Sequence, residues 1–202
     1  MTMTNKINSD KEKTACNKTT EKDPAVSEIL VSAEQLDEVI TRMANEIDRD
    51  YDTQKKLLLL VILKGAVVFA TELMKKIRRP VEIDFMRASS YRGTVSSGNV
   101  NILLDIDRND ISSLDILIVE DIVDSGRTMS RLTSHLKSKG ASSVKVATLL
   151  DKPSRREVEF KADYVGITID DHFVIGYGVD YDEKYRQLPY IGILDPRFYK
   201  NS

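Results

Sequence analysis

Cysteine is almost missing from this 202-residue chain, at one residue (Cys16), and tryptophan is missing altogether. A single thiol closes no internal disulfide, so a reducing compartment or indifference to redox fits. Two histidines, His135 and His172, with that lone thiol leave no zinc cage of the usual kind, and both histidines read as structural or solvated. No apolar run is long enough to cross a bilayer; Leu57 to Leu63 is far too short. The first residues lack the charged-then-apolar pattern of a secretory signal. Charge of one sign is not in excess either. With 30 Lys+Arg against 32 Asp+Glu the formal charge is -2, which removes the basic footprint of a protein gripping a long nucleic acid. What is present is 41% hydrophobic residues, ample for one core, and enough acidic residues to hold Mg²⁺ through oxygen. The expectation is a cytoplasmic protein with neither nucleic acid nor membrane as partner. It reads as a polar, disordered tail over residues 1–27 and one domain over 28–202.

Along the chain, Ser32 with Gln35 three places on forms a capping-box pattern. Leu36, Val39, Ile40, Met43 and Ile47 follow at helical spacing, ending near Asp50. Leu57–Leu63 reads as a buried strand and Val67–Ile77 as a helix closed by Pro80. Val81–Met86, Val100–Leu104 and Ile116–Val119 read as further strands. A helix is predicted from about Arg127 to Lys139, with Gly140 at its left-handed cap. Strands at Val144–Leu150, Tyr164–Ile167, Phe173–Ile175 and Ile191–Leu194 complete the pattern. No internal repeat is visible. Alternating apolar strands and helices predict an α/β fold with a parallel sheet covered on both faces, whose ligands bind beyond the carboxyl ends of the strands.

The most informative segment is Ile116 to Ser130, ILIVEDIVDSGRTMS. An apolar strand ends in Glu120-Asp121, and Asp124-Ser125-Gly126-Arg127-Thr128 opens a helix. A helix N-terminus offers unpaired N–H groups and a partial positive charge to a phosphate, Gly126 allows close backbone approach, and Ser125 and Thr128 add hydroxyl donors. Paired carboxylates suit sugar hydroxyls, directly or through Mg²⁺. Alone, D-S-G-x-T reads more readily as a helix cap and the two acids as a strand end; the whole string favours a nucleotide. Neither the P-loop spacing nor a dinucleotide glycine fingerprint is present.

VEDIVDSGRT resembles the 5-phosphoribosyl 1-diphosphate (PRPP) motif of the type I phosphoribosyltransferases. LKGA at Leu63–Ala66, DFMRASSY at Asp84–Tyr91, LLDK at Leu149–Lys152 and FVIGYGVDYDEKYR at Phe173–Arg186 are similar, in the same order, to segments of the hypoxanthine(-guanine) phosphoribosyltransferases. The resemblance implies a central parallel sheet with a small hood built from the C-terminal strands and part of the N-terminal region. It implies Mg²⁺-dependent joining of hypoxanthine or guanine to PRPP, through an oxocarbenium-like ribosyl group, in a homodimer or homotetramer.

Residue by residue, the resemblance implies that Asp124, Ser125, Gly126, Arg127 and Thr128 hold the 5′-phosphate, with Asp124 also the general acid or base at the purine. Glu120 and Asp121 would meet the ribose and its Mg²⁺. Lys64, Gly65 and Arg186 would bind pyrophosphate, with a cis peptide in the Lys64 loop. Lys152, Phe173, Val174 and Asp180 would line the base site, Asp180 also serving Mg²⁺. Ser90 and Tyr91 would belong to a lid over Ala88–Gly98. On pattern alone Phe173 and Val174 read as strand core, Lys152 as a solvated lysine, and Asp180 with Arg186 as a surface pair. Arg127 either adds a cation near the phosphate or points to solvent. An RNA-binding regulator on the same fold is the alternative, and it would need a basic face.

Overall fold

The computed structural model describes residues 22–52, 54–90 and 100–199. Cys16, Tyr91 and the greater part of both the expected tail and the expected lid lie outside them. In chain order the elements are β1 (Val26–Val31), α1 (Ala33–Asp50), β2 (Lys56–Ile62), α2 (Val67–Lys76), β3 (Val81–Ser90), β4 (Val100–Leu104), β5 (Leu114–Val123), α3 (Arg127–Ser138), β6 (Ser143–Asp151), β7 (Tyr164–Thr168), β8 (Val174–Ile175) and β9 (Ile191–Leu194).

The main sheet runs β4-β3-β2-β5-β6-β7, parallel throughout except for the antiparallel edge strand β4. Alternate residues of β2 feed opposite cores. Leu57, Leu59 and Val61 pack under α1 and α2. Leu58, Leu60 and Ile62 pack with α3 through Met129, Leu132 and Leu136. A strand buried on both faces reads as an unbroken apolar run, as β2 does. α1 starts as expected: Ser32 Oγ accepts the Gln35 N–H at 3.3 Å and Gln35 Oε1 accepts the Ser32 N–H at 2.8 Å. Its Leu36, Ile40, Met43, Ala44 and Ile47 are buried. Gly140 has φ +93°, as a left-handed cap requires.

A second, antiparallel sheet of order β1-β9-β8 forms the small hood. Here the expected tail boundary needs correction. Ala25 and Val26 are each only 2% exposed and pack with Ile175, Tyr190 and Leu194, and Val26 pairs with Leu194. The folded part therefore begins before residue 28.

Two strands also run longer than predicted. β5 continues past Glu120-Asp121 because Ile122 and Val123 pair with Leu150 and Asp151 of β6, and Val123 is buried against the α3 side. β3 runs on to Ser90 because β4 pairs with it over Arg87–Ser90, so the first residues of the expected lid are strand. No described helix is long and apolar enough to cross a membrane.

The strand order places the site. From β2 the chain winds one way to β3, and from β5 the other way to β6 and β7, so strand order reverses between β2 and β5. Crevices at such reversals, outside the carboxyl ends, receive ligands in open α/β sheets.

Candidate active site

Lys64-Gly65 follows β2, Asp124–Thr128 follows β5 and Lys152 follows β6, all at the carboxyl edge. Gly126 is the N-cap of α3 with φ +79° and ψ -11°, a left-handed conformation that L side chains rarely adopt. Beside it, Ser125 Oγ accepts the Arg127 N–H at 3.4 Å. The exposed Arg127 guanidinium pairs with Glu157 Oε2 at 2.6 Å. Of the two readings left open for Arg127, this exposed ion pair matches the one in which the side chain points to solvent.

Glu120 and Asp121 lie within β5. The Asp121 N–H reaches Glu120 Oε1 at 3.1 Å and the Ile122 N–H reaches Asp121 Oδ1 at 2.9 Å. Burial, with the neighbouring carboxylate adding to it, pushes Glu120 well above the ordinary carboxylate range. Burial likewise raises Asp121, against hydrogen bonds and the Arg186 charge that pull it down. The pair is thus reluctant to hold two charges until something donates to it or neutralises it.

Gly65 lies directly against Asp121. A Cβ there would fall 1.7 Å from Asp121 Oδ2, so only glycine lets the β2 loop and the β5 acid meet. The Leu63–Lys64 peptide bond is cis, as the resemblance implies. Lys64 Nζ and Arg186 Nη2 converge on Glu183 Oε2 at 2.9 and 3.1 Å, and these two cations hold the Glu183 carboxyl below its usual range. Arg186 Nη1 also pairs with Asp180 Oδ1 at 2.9 Å and donates to the Gly178 carbonyl at 2.8 Å. Glu183 is a partner that sequence reasoning missed, although it sits inside the matched YDEKYR stretch.

The expected metal set, Asp180 with Glu120 and Asp121, is not a ready cage. Among the described residues no three His, Cys, Asp or Glu side chains gather around one point. Asp180 is occupied by Arg186 through Oδ1 and by the Glu183 N–H through Oδ2 at 2.9 Å.

Lys152 is only 7% exposed, contrary to the solvated reading of a lone lysine. Its Nζ donates to the His172 carbonyl at 2.6 Å and stands 3.7 Å from Asp124 Oδ1. This brings the turn before α3 and the segment before Phe173 to one ammonium. Phe173 is 42% exposed, so the strand-core reading fails for it, whereas Val174 at 4% is core. The Phe173 ring stacks on Tyr199 at 5.1 Å and meets Tyr181 edge-on at 5.4 Å. Ser90 ends β3, and Tyr91 lies outside the described residues. His135 serves structure: its Nε2 meets Asp105 Oδ2 at 2.9 Å.

With this geometry in view, relatives can be weighed. The family described as "Phosphoribosyl transferase domain" matches residues 28–182. The chain is 48% identical over 178 residues to the hypoxanthine-guanine phosphoribosyltransferase of Lactococcus lactis subsp. lactis, covering 88% of this chain and 96% of that protein. It is 47% identical over 175 residues to the bifunctional protein TilS/HprT of Listeria monocytogenes, covering 86% of this chain but spanning only 27% of that longer protein. Among solved structures, a hypoxanthine phosphoribosyltransferase of Staphylococcus aureus superposes with TM-score 0.82 at 42% identity, over 87% of this chain and 95% of that one. The hypoxanthine phosphoribosyl transferase of Trypanosoma cruzi gives 0.84 at 36% identity, over 90% and 97%. The RNA-binding alternative draws no support from these relatives. Shared fold, shared segments and shared order place the chain in the phosphoribosyl transferase family, among the hypoxanthine-guanine phosphoribosyltransferases.

Proposed function

We propose that the crevice transfers a 5-phosphoribosyl group from PRPP to hypoxanthine or guanine, giving IMP or GMP and pyrophosphate, with Mg²⁺. The observation that carries this reading is the convergence at one sheet reversal of four chemically distinct neighbours. They are an amide-lined helix start, a buried acid pair, the Lys64/Arg186 cation pair and the buried Lys152 ammonium.

Each suits one part of the substrate. The turn at Ser125–Thr128 accepts the 5′-phosphate through backbone donors and the start of α3. Glu120 and Asp121 accept hydrogen bonds from the ribose diol. Lys64 and Arg186 exchange Glu183 for pyrophosphate oxygens, Arg186 offering a planar fork. Lys152 donates to the exocyclic oxygen of a 6-oxopurine and disfavours a 6-amino group in that place. Phe173 offers a ring to the base plane. As the C1′–oxygen bond breaks, its electron pair leaves on pyrophosphate; N9 of the purine bonds to C1′, and the ring proton passes to the Asp124 carboxylate. Water kept from the crevice protects the oxocarbenium-like ribose, the task assigned to the segment around Ser90-Tyr91.

The carboxylate oxygens of Asp180, Glu120 and Asp121 are hard donors. They would fit a Mg²⁺ that takes one or two protein carboxylates and the rest of its oxygens from substrate and water. Held by these residues, Mg²⁺ would help offset the charge of pyrophosphate. Cytoplasmic residence and self-association as a dimer or tetramer accompany this reading. Ile83 and Phe85, two apart on β3 and both exposed, suit a partner copy, which light scattering in solution tests.

The deciding experiment is a spectrophotometric assay with PRPP, Mg²⁺ and each of hypoxanthine, guanine, xanthine and adenine. Product with hypoxanthine or guanine is expected, and no product with any base overturns the reading. Asp124→Asn should lower kcat by roughly 10²–10⁴-fold with PRPP binding little changed; unaltered turnover would remove Asp124 from the chemistry.

A further inference from the structure

Three successive carbonyls behind the phosphate turn are all taken by one segment, residues 152–158. The Val123 carbonyl accepts the Lys152 N–H at 2.9 Å and Arg156 Nη1 at 3.2 Å. The Asp124 carbonyl accepts the same Arg156 Nη1. The Ser125 carbonyl accepts the Glu157 and Val158 N–H groups at 3.0 and 3.4 Å. In a trans peptide the N–H points opposite to the C=O. Fixing these three carbonyls toward residues 152–158 therefore turns the N–H groups of Asp124, Ser125 and Gly126 the other way, into the concavity at the start of α3. None of those three N–H groups donates within the protein among the described residues. Successive free amides of this kind form an anion-binding nest.

Arg156 is the side chain that ties this arrangement to the sheet. Its other terminal nitrogen pairs with Asp151, the last residue of β6, and both side chains are largely buried. Its Cδ lies where a Cβ on Gly126 would approach within 2.9 Å, so arginine and glycine are packed against each other. A planar guanidinium can serve two carbonyls and a carboxylate at once, whereas a lysine ammonium has no such fork.

We propose that Arg156, held by Asp151, is a positioning residue for the 5′-phosphate: it touches no substrate and acts by aiming the Asp124, Ser125 and Gly126 amides. The inference rests on the proposed function, since that supplies the phosphate.

The test compares the affinity of the protein for inosine 5′-monophosphate, inosine and inorganic pyrophosphate by calorimetry, in the unaltered chain and in the double variant Asp151→Asn/Arg156→Gln, which leaves no buried charge unpaired. The expected result is at least a tenfold loss of the monophosphate's advantage over inosine, with pyrophosphate affinity within about twofold. A purely structural role would weaken all three ligands together. Arg156→Lys, which keeps the charge without the fork, should lose part of the same advantage. If the unaltered protein does not prefer the monophosphate, the functional reading fails; if it does and the variants keep that preference in full, Arg156 has no positioning role. A measurement on the unaltered protein can overturn the proposal even if the variants do not fold. Adding ribose 5-phosphate should move the amide proton resonances of Asp124, Ser125 and Gly126 downfield, and three unmoved amides would overturn the proposal.

Discussion

Glu120 and Asp121 occupy a strand interior where apolar side chains would ordinarily pack, and the consequence is electrostatic. Both carboxyls are raised in the folded protein, Glu120 well above its ordinary value of 4.5. A group whose folded pKa is raised contributes stability that is present below its unfolded pKa and lost as pH rises through the folded one. Thermal stability should therefore fall as pH climbs from about 4.5 toward the raised value, and Glu120→Gln should flatten that fall, measured as Tm against pH. An unchanged slope would mean that the pair does not hold a proton. On the proposed function Glu183 would compete with pyrophosphate for Lys64 and Arg186, so Glu183→Gln should tighten pyrophosphate binding by roughly two- to fivefold, the modest scale of exposed ion pairs. Binding that weakens instead would make Glu183 a support for the cations. Asp124, Glu120 and Asp121 lie within one contiguous string, so the sequence brings them forward together. Glu183 meets Lys64 across 119 positions of sequence, and such a contact leaves no local signature. The same holds for Arg156 and for Tyr199 beneath Phe173.

At the scale of elements, apolar runs and caps decide most of the fold and are readable directly. The Ser32–Gln35 box is fully formed, so Ser32→Ala should cost about 1 kcal/mol of stability in urea denaturation, with an unaltered m value. Where reading by pattern failed, pairing partners were the reason. β5 outlasts its acids because Ile122 and Val123 still have β6 beside them, and β3 outlasts Met86 because β4 returns along it. β1 leaves no clear mark in the sequence because Val26 and Val31 are buried while Ser27 and Glu28 between them are exposed, so its short run shows no continuous apolar face. The α3 start was predictable from Gly126, whereas the direction of its amides depends on residues 152–158, which sequence separates from it by a helix and a strand.

For the whole molecule, the hood depends on residues that the composition of the tail conceals. A chain beginning at Glu28 would lose the Val26–Leu194 pairing and the bond from the Asp195 N–H to the Ala25 carbonyl at 2.8 Å. Burial of one valine is worth roughly 1.5–3 kcal/mol. The shortened chain should melt several degrees lower than the full one, as calorimetry would show, and an equal Tm would mean that β1 contributes nothing before Glu28. The hood also presents Phe173, so this loss should raise KM for the base more than KM for PRPP.

On the proposed function, the run from Lys152 to Val158 would reach toward the base at one end and back the turn that takes the phosphate at the other. It would then work as a caliper, with both tips of the nucleotide gauged against the same few residues, anchored on one strand. A compound whose ring and phosphate are set farther apart than in a nucleoside monophosphate can engage either jaw, but not both.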